Sequence, residues 1–272
     1  MVESNSGVKN NKSLREIFDE SKVSIHKWEN YFNIYETYFK RFQNKNPRFL
    51  EIGVQYGGSL MMWKEYFNNA KIFGIDINPD CKKLEGEDIE ILIGSQNDRA
   101  FLNNFAKHVD NLDILIDDGG HTMEQQINTF EILFPIINDG GIYIVEDTES
   151  SYQNMYGGGP KRNGTFIEYS KKLIDSINAN HSDFSTLSPS WYSKNIEFIH
   201  FYNNVVVFKK KKIESFPKNI RNKGASTLNK DKRNKVPKVK LFISSIISLI
   251  NKMLGYLRIK PLYIGSTSQR FK

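Results

Sequence analysis

Two short runs carry most of the reactive side chains in this sequence: Asp117-Asp118-Gly119-Gly120-His121 and Glu146-Asp147. Each follows an apolar stretch, Leu112 to Ile116 and Ile142 to Val145, that reads as a buried strand. If both strands belong to one open parallel sheet, their carboxyl ends face a common crevice, where four carboxylates and an imidazole converge. Such crowding of like charge is costly unless a cation or a substrate amine answers it. Oxygen donors of this kind suit Mg²⁺, Mn²⁺ or Ca²⁺ better than zinc. Asp118, Glu146 and Asp147 are therefore read as metal ligands, helix caps and loop hydrogen bonds being the alternative, and Asp117 is assigned to the cofactor side of the crevice. His121, beside that metal, titrates near neutrality and is the candidate general acid or base. His200, within a strand pattern, reads as packing, while His26, His108 and His181 have no evident partners.

A third run, Glu51-Ile-Gly53-Val-Gln-Tyr-Gly57-Gly58-Ser59, places glycines where a chain leaves a strand and passes close to a ligand before a helix begins. Asp76 ends the next strand, at the spacing where an acid accepts hydrogen bonds from a ribose diol. The loop lacks the Gly-x-Gly-x-x-Gly spacing that seats a pyrophosphate. It also opens with an acid, Glu51, which repels phosphate and suits a cofactor bearing a sulfonium and an ammonium. Glu51, Gly53, Gly57, Ser59 and Asp76 are accordingly expected to bind S-adenosylmethionine.

The elements that must position these residues alternate. Strands are predicted at 48–53, 71–76, 89–93, 112–117 and 141–146, with helices near 59–67, 99–108 and 123–134 between them. A helix over 165–178 follows, then two strands within 197–208 meeting at Asn203-Asn204. That order predicts an α/β fold, a Rossmann-like doubly wound and mostly parallel seven-stranded sheet with an antiparallel edge. Aromatic residues at spacings of three and four over 13–43 predict N-terminal helices packed on the sheet.

Charge is divided along the chain. The net charge of +7 combines −9 over residues 1–208 with +14 over 209–260 and +2 beyond. Nucleic-acid enzymes carry basic residues around the cleft itself, so an acidic body argues against that class. Residues 1–12 are read as a disordered N-terminus without a secretory core and 13–212 as the catalytic domain. Residues 213–238 read as a basic linker, 239–260 as an amphipathic helix and 261–272 as a tail. The helix, flanked by Lys238, Lys240, Lys252 and Arg258, is expected to contact an anionic membrane peripherally, or to dock on the body or a second subunit. One cysteine, Cys81, and the lack of a spanning segment fit a cytoplasmic protein.

Taken together, the segments Lys27-Trp28, Leu50-Glu-Ile-Gly53 through Leu60, Ile93-Gly94-Ser95-Gln96, Asp117 to His121, Val145-Glu146-Asp147 with Ser151-Tyr152, Tyr156 to Gly159, Thr165 to Tyr169 and Ile199 to Tyr202 give the chain a family likeness. It resembles class I methyltransferases of the macrocin and mycinamicin sugar O-methyltransferase type, which include proteins described as cephalosporin hydroxylase-like. The resemblance covers roughly residues 13–210. It implies magnesium-dependent methyl transfer to a sugar or glycan hydroxyl, with Asp118, Glu146 and Asp147 matching the metal positions and His121 the base. Ser95 and Gln96 match the adenine side, although Ser95 stands where an acid is usual. Two other readings stay open: a catechol-type O-methyltransferase, and a non-catalytic nucleotide- or glycan-binding module tethered by its basic tail.

Overall fold

The computed structural model describes residues 12–67, 69–222 and 238–262. The chain divides into two units, Met1–Asn180 with Pro189–Glu214, and His181–Ser188 with Ser215–Lys272.

In the first unit β1 (Arg48–Ile52), β2 (Lys71–Asp76), β3 (Ile89–Ile93), β4 (Leu112–Asp117) and β5 (Ile137–Val145) run parallel. β6 (Ile196–Tyr202) and β7 (Val205–Lys210) complete one sheet of order β3-β2-β1-β4-β5-β7-β6. β7 is antiparallel to both β5 and β6. The turn between β6 and β7 is the Asn203-Asn204 pair, Asn204 adopting φ +63°, which asparagine tolerates better than most residues. This is the Rossmann-like sheet with an antiparallel edge that the alternation predicts. β5 begins four residues earlier than its apolar run suggests, because Ile137 pairs with Leu112 before an irregularity carries the ladder on to Ile142.

Residues alternate across the sheet as its strands demand. Phe49, Ile72, Ile114 and Ile144 face one layer, made by α1 (Leu14–Glu20), α2 (Tyr31–Phe39) and α3 (Gly58–Phe67). Leu50, Phe73, Leu115 and Val145 face the other, made by α4 (Arg99–Val109), α5 (Met123–Leu133) and α6 (Phe166–Asn178). Helix starts are fixed by side chains. Ser13 and Glu16 form a capping box on α1, as do Thr122 and Gln125 on α5, and Asp98 caps α4. The N-terminal helices thus lie on the sheet as expected, but residues 21–30 between them are irregular rather than helical.

In the second unit, α7 (Lys238–Tyr256) is a 19-residue helix whose apolar residues Phe242, Ile246, Leu249 and Met253 are exposed. Phe184 packs edge-on against Tyr256 within the same unit. Among the described residues no helix is long and apolar enough to cross a membrane. The N-terminal segment expected to be disordered, most of the linker and residues 263–272 of the tail lie outside the described residues.

Candidate active site

The neighbours of β1, β2 and β4, lie on opposite sides of it, which makes the carboxyl ends of β1 and β4 the switch point of the sheet. A cavity of about 320 Å³ opens there. Gly53, Asp76, Ser95, Gln96, Asp118, His121 and Asp147 line it, so one cleft holds residues expected on the cofactor side and residues expected on the metal side. His26, Gln55, Ile77 and Gln125, to which the sequence assigns no site role, line it as well.

At the cofactor end, Asp76 fastens the glycine loop. Its Oδ2 accepts from the backbone N–H of Val54 and Gln55, each at 2.9 Å, and its Oδ1 from that of Asn78 at 2.8 Å. Gly53 has φ +92°, and a Cβ there would run into the backbone carbonyl of Asp118; the glycine is required by the crossing of two loops as well as by any ligand. Gln96 spans the floor. Its Nε2 donates to Asp117 Oδ1 (2.7 Å) and its Oε1 accepts from Gly120 N (2.8 Å).

Four residues expected to touch the cofactor lie elsewhere. Glu51 is fully buried and accepts from Ser59 Oγ at 2.7 Å, so the two satisfy each other behind the loop. Gly57, at φ +77°, faces Leu84. Asp117 points into the protein under Gln96, where burial pushes its carboxyl up to about 7. Glu51 and Asp117 lie near strand ends, where residues alternate between crevice and core, and Gly57 and Ser59 pack behind the loop at the start of α3.

At the other end, donor atoms of Asp118, His121 and Asp147 lie within 4.8 Å of one another, a group able to hold a metal ion. His121 Nε2 is 3.5 Å from Asp147 Oδ2 and 3.9 Å from Asp118 Oδ1. His121 and Asp147 both adopt left-handed backbone, φ +56° and +50°, local strain of the kind that collects at functional sites. His121 Nδ1 is buried, and no group among the described residues bonds to it. Glu146 lies outside this group: it is buried, and its Oε1 accepts from Tyr35 OH (2.5 Å) and its Oε2 from Lys27 Nζ (2.9 Å).

Lys27 is the residue that the sequence reading missed. Its buried ammonium reaches Asp118 Oδ2 at 2.6 Å, Glu146 Oε2 at 2.9 Å and Glu51 Oε1 at 3.5 Å. Burial by itself would lower its pKa, but these three carboxylates hold it well above the usual lysine value. Burial likewise raises Glu146, with Lys27 opposing. Asp147 is gripped from the same N-terminal stretch, its Oδ1 accepting from Tyr31 OH (2.6 Å) and Trp28 Nε1 (3.1 Å). Asp118 and Asp147 therefore each spend one oxygen on the N-terminal segment and turn the other toward His121. Its sequence neighbours give no signal of this role, since Trp28 beside it is 52% exposed and residues 21–30 form no regular element. His200 packs within β6 as read, stacked on Phe198 at 4.0 Å, and although exposed it has Nδ1 2.7 Å from Tyr38 OH. His108 pairs with Glu90 at 2.6 Å.

The fold and the cleft define a class, and comparison with known proteins agrees: residues 50–148 match the family described as a methyltransferase domain. More particularly, the chain resembles sugar O-methyltransferases of the macrocin and mycinamicin type. It is 35% identical over 189 residues to mycinamicin VI 2''-O-methyltransferase of Micromonospora griseorubida, covering 65% of this chain and 47% of that protein. It is 34% identical over 189 residues to demethylmacrocin O-methyltransferase of Streptomyces fradiae, with the same coverage of each. The structure of the MycE methyltransferase of mycinamycin biosynthesis, in complex with Mg, SAH and mycinamycin VI, superposes with a TM-score of 0.67. That alignment has 32% identity and covers 75% of this chain and 55% of the other. The chain spans about half the length of the curated relatives it matches.

Proposed function

We propose that this protein is an S-adenosylmethionine-dependent O-methyltransferase that acts, with a divalent cation, on a hydroxyl of a sugar or glycan. The observation that carries this reading is that a single cleft joins the Gly53–Asp76 loop to the Asp118, His121 and Asp147 donors. Both groups fit the residues present. The carboxylate oxygens of Asp118 and Asp147 suit Mg²⁺ or Mn²⁺, and Gly53 and Gly119, packed too closely on the Asp118 carbonyl and Gln96 to carry a side chain, present bare backbone to the cleft. MycE, with its magnesium and SAH, supports the same assignment by likeness.

When bound, the cation lowers the pKa of a sugar hydroxyl that it holds. Asp118 and Asp147 would hold it, with the charge of Glu146 behind them. His121 Nε2, within reach of both aspartates, accepts the hydroxyl proton as the oxygen takes the methyl group and sulfur keeps the bonding electrons. Asp76 accepts from the ribose hydroxyls, and Ser95 and Gln96 meet the adenine side. The loop around Tyr156, whose ring lies 6.3 Å from that of His121, screens the reacting atoms from water.

Methyl transfer from labelled cofactor to nucleotide sugars, lipid-linked glycans and catechols, with and without chelator, tests the reading. Transfer to a sugar that stops in chelator is expected. Transfer to catechols alone would establish the catechol-type alternative, and no transfer to any acceptor would favour the binding module.

The exposed apolar side of α7, with Lys252, Arg258 and Lys260 also exposed, supports a second element of the proposal: peripheral attachment of a cytoplasmic enzyme to an anionic membrane. Sedimentation with anionic vesicles, comparing the full chain with one lacking residues 213–272, tests it. Equal sedimentation of the two would exclude membrane attachment through this helix and leave docking on the body or a second copy.

A further inference from the structure

A second opening lies beyond Asp147. Thr148, Glu149 and Tyr152 from the loop after β5, Ile167, Lys171 and Ile174 from α6, and Phe201 to Asn204 at the β6–β7 turn enclose a groove of about 600 Å³. That volume falls within the range of pockets for small organic ligands, roughly 300–1,000 Å³. Tyr152 is 56% exposed and Phe201 40%, two aromatic side chains open to solvent at one groove, while the ring of Tyr202 turns away to Tyr38, its OH 2.6 Å from that of Tyr38. Hydrogen-bonding groups line it as well: Thr148, Glu149, Lys171, Asn203 and Asn204. Glu149 Oε2 is buried, and no donor among the described residues reaches it. Thr148 and Glu149 of the groove follow Asp147 directly in the chain, so the groove begins where the candidate catalytic group ends. The backbone makes the same connection, Thr148 N donating to Asn204 O at 3.1 Å.

From this arrangement we infer that the groove is a subsite for the saccharide unit next to the sugar being methylated, so that the acceptor is an oligosaccharide or glycan rather than a single sugar. Sugar rings present an apolar face of C–H groups and an edge of hydroxyls. A groove that combines exposed aromatic side chains with polar partners matches both, whereas an apolar aglycone would leave Glu149 unanswered. This rests on the sugar-directed reading above.

The test uses the full chain and two exposed-residue variants, Tyr152→Ala and Phe201→Ala. Binding of a methyl monosaccharide, the corresponding trisaccharide and an n-octyl glycoside, in hexose and 6-deoxyhexose series, is followed by saturation-transfer NMR, with methyl transfer in parallel. The trisaccharide should bind at least tenfold tighter than the monosaccharide, and either variant should remove most of that difference. Equal affinity for the two lengths, a length preference untouched by both variants, or a preference for the octyl glycoside over the trisaccharide would overturn the inference. A length preference lost in the variants without methyl transfer to any saccharide would uphold the subsite and refute the transferase reading.

Discussion

Lys27 and Asp118, 91 residues apart in sequence, meet at 2.6 Å in a part of the cleft where the lysine is almost wholly buried. The same ammonium serves Glu146 and Glu51, so one positive charge lies among three carboxylates. Lys27→Met would leave those charges facing one another. Removing one partner of a buried ionic cluster typically costs about 3–5 kcal/mol. The variant should unfold at markedly lower urea than the wild type in chelator, and millimolar Mg²⁺ should restore more stability to it than to the wild type, because the site it leaves is more negative. Identical unfolding midpoints in chelator would show that Lys27 does not balance the cluster.

Gly53 and Asp76 should fail in different ways. Any Cβ at Gly53 meets the Asp118 carbonyl and must adopt φ +92°, so Gly53→Ala should lower stability as well as cofactor affinity. Asp76→Ala removes three backbone hydrogen bonds from the loop. It should weaken S-adenosylmethionine binding by roughly ten- to a hundredfold, the worth of about 1–3 kcal/mol for lost acceptors. Calorimetry beside thermal unfolding separates the two, and unchanged affinity in both variants would remove this loop from the cofactor site.

Asp117 should make the metal-free protein less stable as pH rises. Its folded pKa is near 7 against an ordinary 3.8. Between these values the unfolded chain releases the proton while the folded protein keeps it, so stability present below about pH 4 is lost progressively as pH climbs to about 7. The upper bound is about 4 kcal/mol, at 1.36 kcal/mol per unit. Asp117→Asn should flatten this slope in urea titrations at pH 5 and pH 8 in chelator; a slope as steep as that of the wild type would assign the effect to another group.

The His121 and aspartate variants should separate proton transfer from metal binding. His121→Ala should keep most metal affinity while losing two to about four powers of ten in turnover, the usual worth of a general base. Asp118→Ala and Asp147→Ala should weaken the metal and recover in part with excess Mn²⁺. An unimpaired His121→Ala enzyme would exclude it as the base.

How much of this was legible beforehand follows from the range of the interactions involved. Alternation of short apolar runs with amphipathic stretches determined the strands and helices of the sheet, since burial on one or two faces repeats at periods that a sequence displays directly. The same logic located Asp118, His121 and Asp147 by placing them just past strand ends, and the structure brings their donor atoms together. The direction in which each acid points depends on tertiary contacts. Glu51 and Asp117 turn inward toward Ser59 and Gln96, and Glu146 is taken by Tyr35 and Lys27. Nothing local distinguishes Lys27 from a surface lysine. Its role arises only when residues 21–30, an irregular stretch between α1 and α2, are laid against the ends of β1, β4 and β5, because charge pairing depends on distance in space, which folding alone sets.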